Sequence, residues 1–216
     1  MNKYYGSSNI SYNDIEGQLM PDESIIWKGT PKKSAFIINS SITMMPFALL
    51  WLAFDGFFIS TIIASDGTEG MGFFFIGFFA FHLMPVWIWL YNVLTAYSRW
   101  KNTAYAVTNR RIIIRNGFIG YQYNSIYYTD ISNVSLQVGA IDRMLGVGDI
   151  RIATNISIGT TKNGNSANTT SILDVENPEH VMGIVQKTVM DMQTDIHYPN
   201  ALRPEVNPGY HTEYRP

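Results

Sequence analysis

Two titratable side chains sit where titratable side chains are costly. Asp55 is the one charged residue in residues 35–64 (AFIINSSITMMPFALLWLAFDGFFISTIIA), and His82 lies in residues 71–97, a run with no formal charge. On insertion scales a charged side chain at the centre of a spanning helix costs roughly 2.5–3.5 kcal/mol. Counted inward from the turn at residues 65–70, Asp55 is about eight residues deep and His82 about eleven, or roughly 12 and 16 Å at 1.5 Å per residue. The depths differ by less than one helical turn, so the two side chains can meet. Such a pair would form a proton- or ion-sensitive site. The plainer alternatives are a packing polar contact, or an Asp55 that reaches back to the outer surface.

Other chemistry finds little support. There is no cysteine, which excludes disulfides, thiolate metal sites and a cysteine nucleophile. The four histidines, at 82, 180, 197 and 211, show no metal-ligand spacing. Gly146-Val147-Gly148 lacks the Lys-Ser/Thr ending and following helix of a phosphate loop, and is explained as a turn. No Ser–His–Asp or paired-carboxylate pattern stands out. The expectation is therefore no catalytic residue, no cofactor, no metal and no nucleic-acid partner.

The elements that would position Asp55 and His82 follow from hydrophobicity. Charged residues are only 15% of the chain and hydrophobic residues 46%, against a usual charged share of about 25%. The deficit is local: no Lys or Arg occurs between Lys33 and Arg99. Spanning a bilayer takes about 20 apolar residues, and both runs are long enough. They predict a transmembrane helical hairpin over residues 35–98, with spans near 36–63 and 71–97, a kink at Pro46 and a turn at 65–70. The polar first 34 residues predict no cleavable signal peptide.

Orientation rests on the basic residues. Lys28, Lys32 and Lys33 precede the first span, and Arg99, Lys101, Arg110 and Arg111 follow the second, whereas the turn carries only Asp66 and Glu69. The positive-inside rule places both chain ends in the cytoplasm. Trp27, Trp87, Trp89 and Trp100 are the expected interfacial aromatics. Nine of the twelve phenylalanines fall between Phe54 and Phe81, as lipid contacts or as packing between protomers.

After residue 99 the pattern changes. TAYAVT, RIIIRNG, YQYNSIYYT, NVSLQV, GDIRIAT, ISIGTT and TSILDV predict seven short strands. Glu23 to Trp27 reads as either a strand or an interfacial segment, and Asp14 to Leu19 as a short helix. Asn177, Pro178 and Glu179 signal a helix start. Val181, Ile184, Val185, Thr188, Val189 and Met192 give that helix one apolar face. The expected divisions are a 1–34 N-terminal segment, the 35–98 hairpin, a 99–193 domain and a flexible 194–216 tail.

Trp27-Lys28-Gly29-Thr30-Pro31, the two spans and Tyr105-Ala106-Val107-Thr108-Asn109-Arg110-Arg111-Ile112 follow one another in a distinctive order. Asp130-Ile131-Ser132-Asn133-Val134, Gly146 to Ile150 and Asp174 to Glu179 come next. Together they resemble the bacterial PH-domain (membrane-flanked domain) family over roughly residues 22–192. The resemblance implies an α+β PH-like fold: a seven-stranded, bent antiparallel barrel capped by a C-terminal helix. It also sets Arg110 and Arg111 in a hairpin that often binds phosphorylated lipid headgroups in eukaryotic PH domains. The simpler role for these two is orientation of the domain at anionic lipid.

The expected function is a non-enzymatic, membrane-anchored binding or scaffolding module at the inner face of the bacterial cytoplasmic membrane. Its expected partners are the lipid bilayer, a second copy of the chain or a membrane protein. The alternative is an oligomeric transport or envelope-stress component built around the hairpin, which needs an oligomer because two helices enclose no pathway.

Overall fold

The computed structural model describes residues 15–64, 72–156, 159–160 and 166–197. The first fourteen residues, the turn expected at 65–70 and the tail from 198 lie outside these residues. The chain divides into two compact units, one helical (Lys33–Lys101) and one β-rich, built from the residues on either side of it.

The described residues of the helical unit form four helices. They are α1 (Lys33–Ile42), α2 (Met45–Ala64), α3 (Gly72–His82) and α4 (Met84–Lys101). The break between α1 and α2 falls just before Pro46, whose missing N–H is harmless in the first turn of a helix. Pro85 sits in the same place in α4. Each expected span is thus divided. Among the described residues only α2 is by itself long and apolar enough to cross a bilayer, while α3 and α4 satisfy that test together across a 55° bend. The first break lies beside Pro46, where a kink was expected; the break at Leu83 was not expected. Helices α1, α2 and α3 each contact α4. Few side chains are enclosed, and these are mostly small or polar: Ala35, Phe36, Ala48, Asp55, Thr95 and Ala96. The large apolar ones point outward, with Phe73 95% exposed and Leu94 70%.

The β-rich unit is ordered the other way. A short 3-10 turn (Ile15–Gln18) precedes β1 (Ile25–Gly29). After the helices come β2 (Ala104–Thr108), β3 (Arg111–Asn116), β4 (Gln122–Tyr127) and β5 (Ile131–Gln137). A short helix α5 (Ala140–Leu145), β6 (Val147–Thr154), the two-residue strands β7 (Gly159–Thr160) and β8 (Ser166–Ala167), β9 (Thr169–Glu176) and α6 (Pro178–His197) complete it. All the ladders are antiparallel. One sheet has the order β1-β2-β3-β4 and a second β5-β6-β9. Among the described strands no ladder joins the two sheets, so the expected barrel is corrected to two sheets. The chain changes sheet through the 3-10 turn Tyr128–Asp130.

Seven longer strands are present, but one differs from the expected set. Among the described residues ISIGTT contributes the Gly159–Thr160 pair, and the seventh long strand is β1, which pairs with β2. The domain boundary expected at residue 99 therefore leaves out an integral strand. Tyr105, Val107, Ile112, Ile114, Ile126, Ile150, Ile152 and Ile172 form the core, and Val181, Val185 and Val189 of α6 close over it at four-residue spacing. Each such side chain contributes about 1.5–3 kcal/mol on burial. Strand β2 is buried on both faces, because Ala104 and Ala106 pack with Ile113 beneath Ile15 and Leu19. Gly146 takes a left-handed φ of 68° and ends α5. Gly148 lies where an added Cβ would come within 3.0 Å of Pro178 and Val138.

Candidate functional site

Within the helical unit, Asp55 and His82 come together. Asp55 is in the middle of α2 and His82 is the last residue of α3. His82 Nδ1 lies 2.8 Å from Asp55 Oδ1. With the carboxylate ionised, Nδ1–H donates and the pair carries a charge-assisted hydrogen bond. Asp55 is 1% exposed. Its second oxygen, Oδ2, has no hydrogen-bond partner among the described residues.

A third residue, Trp51, completes the cluster. It precedes Asp55 by one helical turn and so shares its face. Its Nε1–H donates to the backbone carbonyl of His82 at 2.7 Å. The need for that donor arises at the break beside Pro85, whose missing N–H interrupts the helical ladder. Val86 N–H, which would reach His82 O in a regular helix, instead donates to Leu83 O at 2.9 Å, the carbonyl that Trp87 N–H bonds in the regular four-residue pattern at 3.0 Å. The His82 carbonyl is left for the Trp51 indole. Trp87 Nε1–H donates similarly to Ala80 O at 2.9 Å. Two indoles thus bond carbonyls at the α3–α4 bend. The imidazole ring lies among aromatic neighbours: Phe78 is stacked at 5.1 Å, and Trp51 and Phe54 are tilted at 5.2 and 6.3 Å.

The basic residues separate into different roles. Lys101 and Arg110 are exposed. Lys28 pairs with Glu16 at 3.0 Å. Lys32 Nζ donates to Leu145 O at 2.9 Å and pairs with Glu176 at 3.2 Å. Lys33 Nζ lies over the rings of Tyr97 and Trp100, at 4.9 and 5.4 Å from their centroids. Arg99 donates to Asn92 O at 3.1 Å.

Arg111 is the exception. It belongs to the interior, which corrects its expected place at a lipid surface. Its Nε and Nη2 donate to the two oxygens of Glu23 at 3.0 and 3.1 Å. Nη2 also donates to Gln18 O at 2.6 Å and Nη1 to Ser125 Oγ at 3.0 Å. Met20 N–H and Thr108 Oγ1 complete the shell around Glu23, each at 2.7 Å. Burial pushes the Glu23 carboxyl up, but the bonds from Arg111, Met20 and Thr108 outweigh it and hold the group below its ordinary value.

The tryptophans divide as well. Trp27 packs against the β core, so it is not an interfacial residue. Trp87 is exposed, and Trp89 and Trp100 are half-buried.

A further polar group lies at the β6–β9 ladder. Asp174 has φ 53° and its N–H donates to Asp149 Oδ1 at 2.8 Å. Burial pushes the Asp149 carboxyl up, and the nearby Asp142 charge adds to this. Burial also raises the Tyr105 phenol, whose oxygen accepts from Leu173 N–H at 3.0 Å. Between β5 and α6 is a cavity of about 280 Å³ lined by Ile131, Asn133, Gln186, Val189, Met190 and Gln193. Among the described residues no three His, Cys, Asp or Glu side chains are grouped to hold a metal ion.

Sequence reasoning located Asp55 and His82 but missed Trp51, Pro85 and Glu23. The signal for Trp51 was its four-residue offset from Asp55. The signal for Pro85 was the near repeat of Met44-Met45-Pro46 in Leu83-Met84-Pro85. Nothing local marks Glu23, because its partner is 88 residues away.

No curated protein and no solved structure matches the chain. The bacterial PH domain family matches residues 47–189, a stretch that takes in α2 to α4 as well as β2 to the middle of α6. With two antiparallel sheets closed by a C-terminal helix and a match over most of its length, the chain belongs to the bacterial PH domain family.

Proposed function

We propose that the helical unit is embedded in the bacterial cytoplasmic membrane and holds the PH-like unit at the inner surface as a non-enzymatic binding or scaffolding module. One observation carries the embedding: the helical unit turns its large apolar side chains outward and keeps its buried carboxylate inside. A contiguous apolar surface of that kind marks contact with lipid or protein. In a bilayer every backbone group needs an internal partner, and the indole bonds to His82 O and Ala80 O supply two at the bend. The Asp55–His82 pair then acts as a polar lock between α2 and α3. Membership of the PH domain family supports the binding role. Tethering adds to it by raising the local concentration of the module for partners in the same membrane.

The orientation has both chain ends in the cytoplasm. The test uses the absence of cysteine. In intact cells, Thr68→Cys is expected to react with an impermeant maleimide from outside, and Ser135→Cys in β5 only after the cells are opened. The protein is expected to stay with the bilayer through alkaline carbonate washing. Release by carbonate would overturn the embedding, and labelling of Thr68→Cys only from inside would overturn the orientation.

A further inference from the structure

Among the described residues of the β-rich unit, two large apolar side chains are far more exposed than the rest. Ile119 is 91% exposed and Met144 86%, and the next, Ile156, is 50%. A single exposed apolar residue needs no explanation. What distinguishes these two is where they are fixed.

Ile119 lies in the loop between β3 and β4, residues 117–121. That loop is tight: a Cβ on Gly117 would lie 2.0 Å from Gly120 O. Asn102 Nδ2–H donates to Phe118 O at 2.9 Å, and Arg115 Nε–H donates to Asn102 O at 3.2 Å. Asn102 directly follows Lys101, the last residue of α4. The Arg115 guanidinium lies over the Tyr121 ring at 5.8 Å.

Met144 lies in α5. Its neighbour Leu145 accepts a hydrogen bond from Lys32 Nζ at 2.9 Å. Lys32 directly precedes Lys33, the first residue of α1. Arg143, adjacent to Met144, is exposed. The chain neighbour of each apolar tip is therefore hydrogen-bonded to the residue at which the chain enters or leaves the helical unit, and each tip has an arginine within four residues in the sequence.

We propose that Ile119 and Met144 are two lipid-contacting feet of the PH-like unit. Their side chains enter the interfacial layer of the inner leaflet, with Tyr121 at headgroup depth and Arg115 and Arg143 toward the phosphates. Apolar tips combined with basic groups are the chemistry that suits an anionic phospholipid surface. The feet would fix the orientation of the module on the membrane, whereas the chain connections alone would fix only its distance. This inference rests on the membrane-embedded reading of the helical unit.

The test places an environment-sensitive fluorophore on single cysteines in the full chain, reconstituted in anionic phospholipid vesicles. The vesicles carry a nitroxide quencher near the headgroups. Labels at Ile119→Cys and Met144→Cys are expected to be quenched at least about twofold more than one at Met190→Cys, an exposed apolar site on α6. A label at Phe57→Cys, on the outward face of α2, reports embedding. Quenching at 119 and 144 no greater than at 190, with Phe57→Cys reporting lipid, overturns the feet and leaves the embedding intact. A water-exposed signal at Phe57→Cys overturns both.

Discussion

Each unit of the chain sets a buried acidic side chain against a basic partner, Glu23 against Arg111 and Asp55 against His82, and the two surroundings are opposite. In the β-rich unit, Glu23 accepts from Arg111, Met20 and Thr108, and apolar side chains fill the interior around it. In the helical unit, Asp55 has one bonded oxygen and one without a partner among the described residues, and the large apolar side chains are on the outside. Water drives the first arrangement by expelling isoleucine and valine from its surface. Under the proposed embedding, lipid gives no such drive between helices, and packing of small residues with a few polar contacts takes over. The same pairing of acid and base therefore serves a complete electrostatic core in one unit and a localised lock in the other.

The most severe way to break this comparison is to remove Glu23. Glu23→Ala leaves the Arg111 guanidinium buried without its counter-ion. Breaking a buried pair from one side costs about 3–5 kcal/mol. Thermal unfolding of the full chain, followed by β-sheet circular dichroism, is expected to show that loss for the β-rich unit. A cost near that of an exposed pair, below about 1 kcal/mol, would mean that the fork is peripheral. The sign of the pH dependence is fixed as well. Glu23 titrates below its ordinary 4.5 in the folded protein, so its contribution is present above 4.5 and is lost as pH falls through the lowered value.

The contrast between the units also explains what was legible in the sequence. Patterns repeated over short distances were read correctly: β2 to β6, β9 and the Val181-Val185-Val189 face of α6 all follow from local periodicity. Asp55 and His82 stood out because their neighbours are so uniformly apolar. What failed depended on distant partners. Trp27 and Arg111 resemble membrane-surface residues by type and by nearness to the apolar runs. Yet β1 crosses the whole helical insertion to pair with β2, and carries Trp27 onto the core and Glu23 onto Arg111. The bend at Leu83 was missed for a different reason: hydrophobicity reports the length of a span, whereas the path depends on how the hydrogen-bond ladder breaks beside Pro85.

A smaller effect sharpens the helical side. A double-mutant cycle with Asp55→Leu and His82→Leu, measured by reversible unfolding in mixed micelles, isolates the lock. Polar contacts between helices in a membrane setting couple by about 0.6 to 1.7 kcal/mol, and the pair is expected to fall in that range. Zero coupling would place the polar link from α2 to the bend on Trp51, through its bond to His82 O. Coupling as large as that of the Glu23–Arg111 fork would erase the distinction between the units.

The smallest expected effect is at Asp149, where the sign is opposite to that of Glu23. Burial and the Asp142 charge raise this carboxyl above its ordinary 3.8 in the folded protein. The folded state therefore holds its proton more tightly than the unfolded chain does. That contribution is fully present below 3.8 and is lost as pH rises through the raised value. Asp149→Asn keeps an Oδ1 that can accept from Asp174 N–H, the bond now 2.8 Å long, and removes the charge. The variant is expected to unfold at a slightly higher temperature than the parent at neutral pH and at the same temperature below pH 3.8. Because Glu23 titrates in a neighbouring window with the opposite sign, the quantity to follow is the difference between variant and parent at each pH, from which Glu23 cancels. A difference that grows on acidification would mean that the Asp149 carboxylate is stabilised by its surroundings, and the β-rich unit would then hold no strained acid.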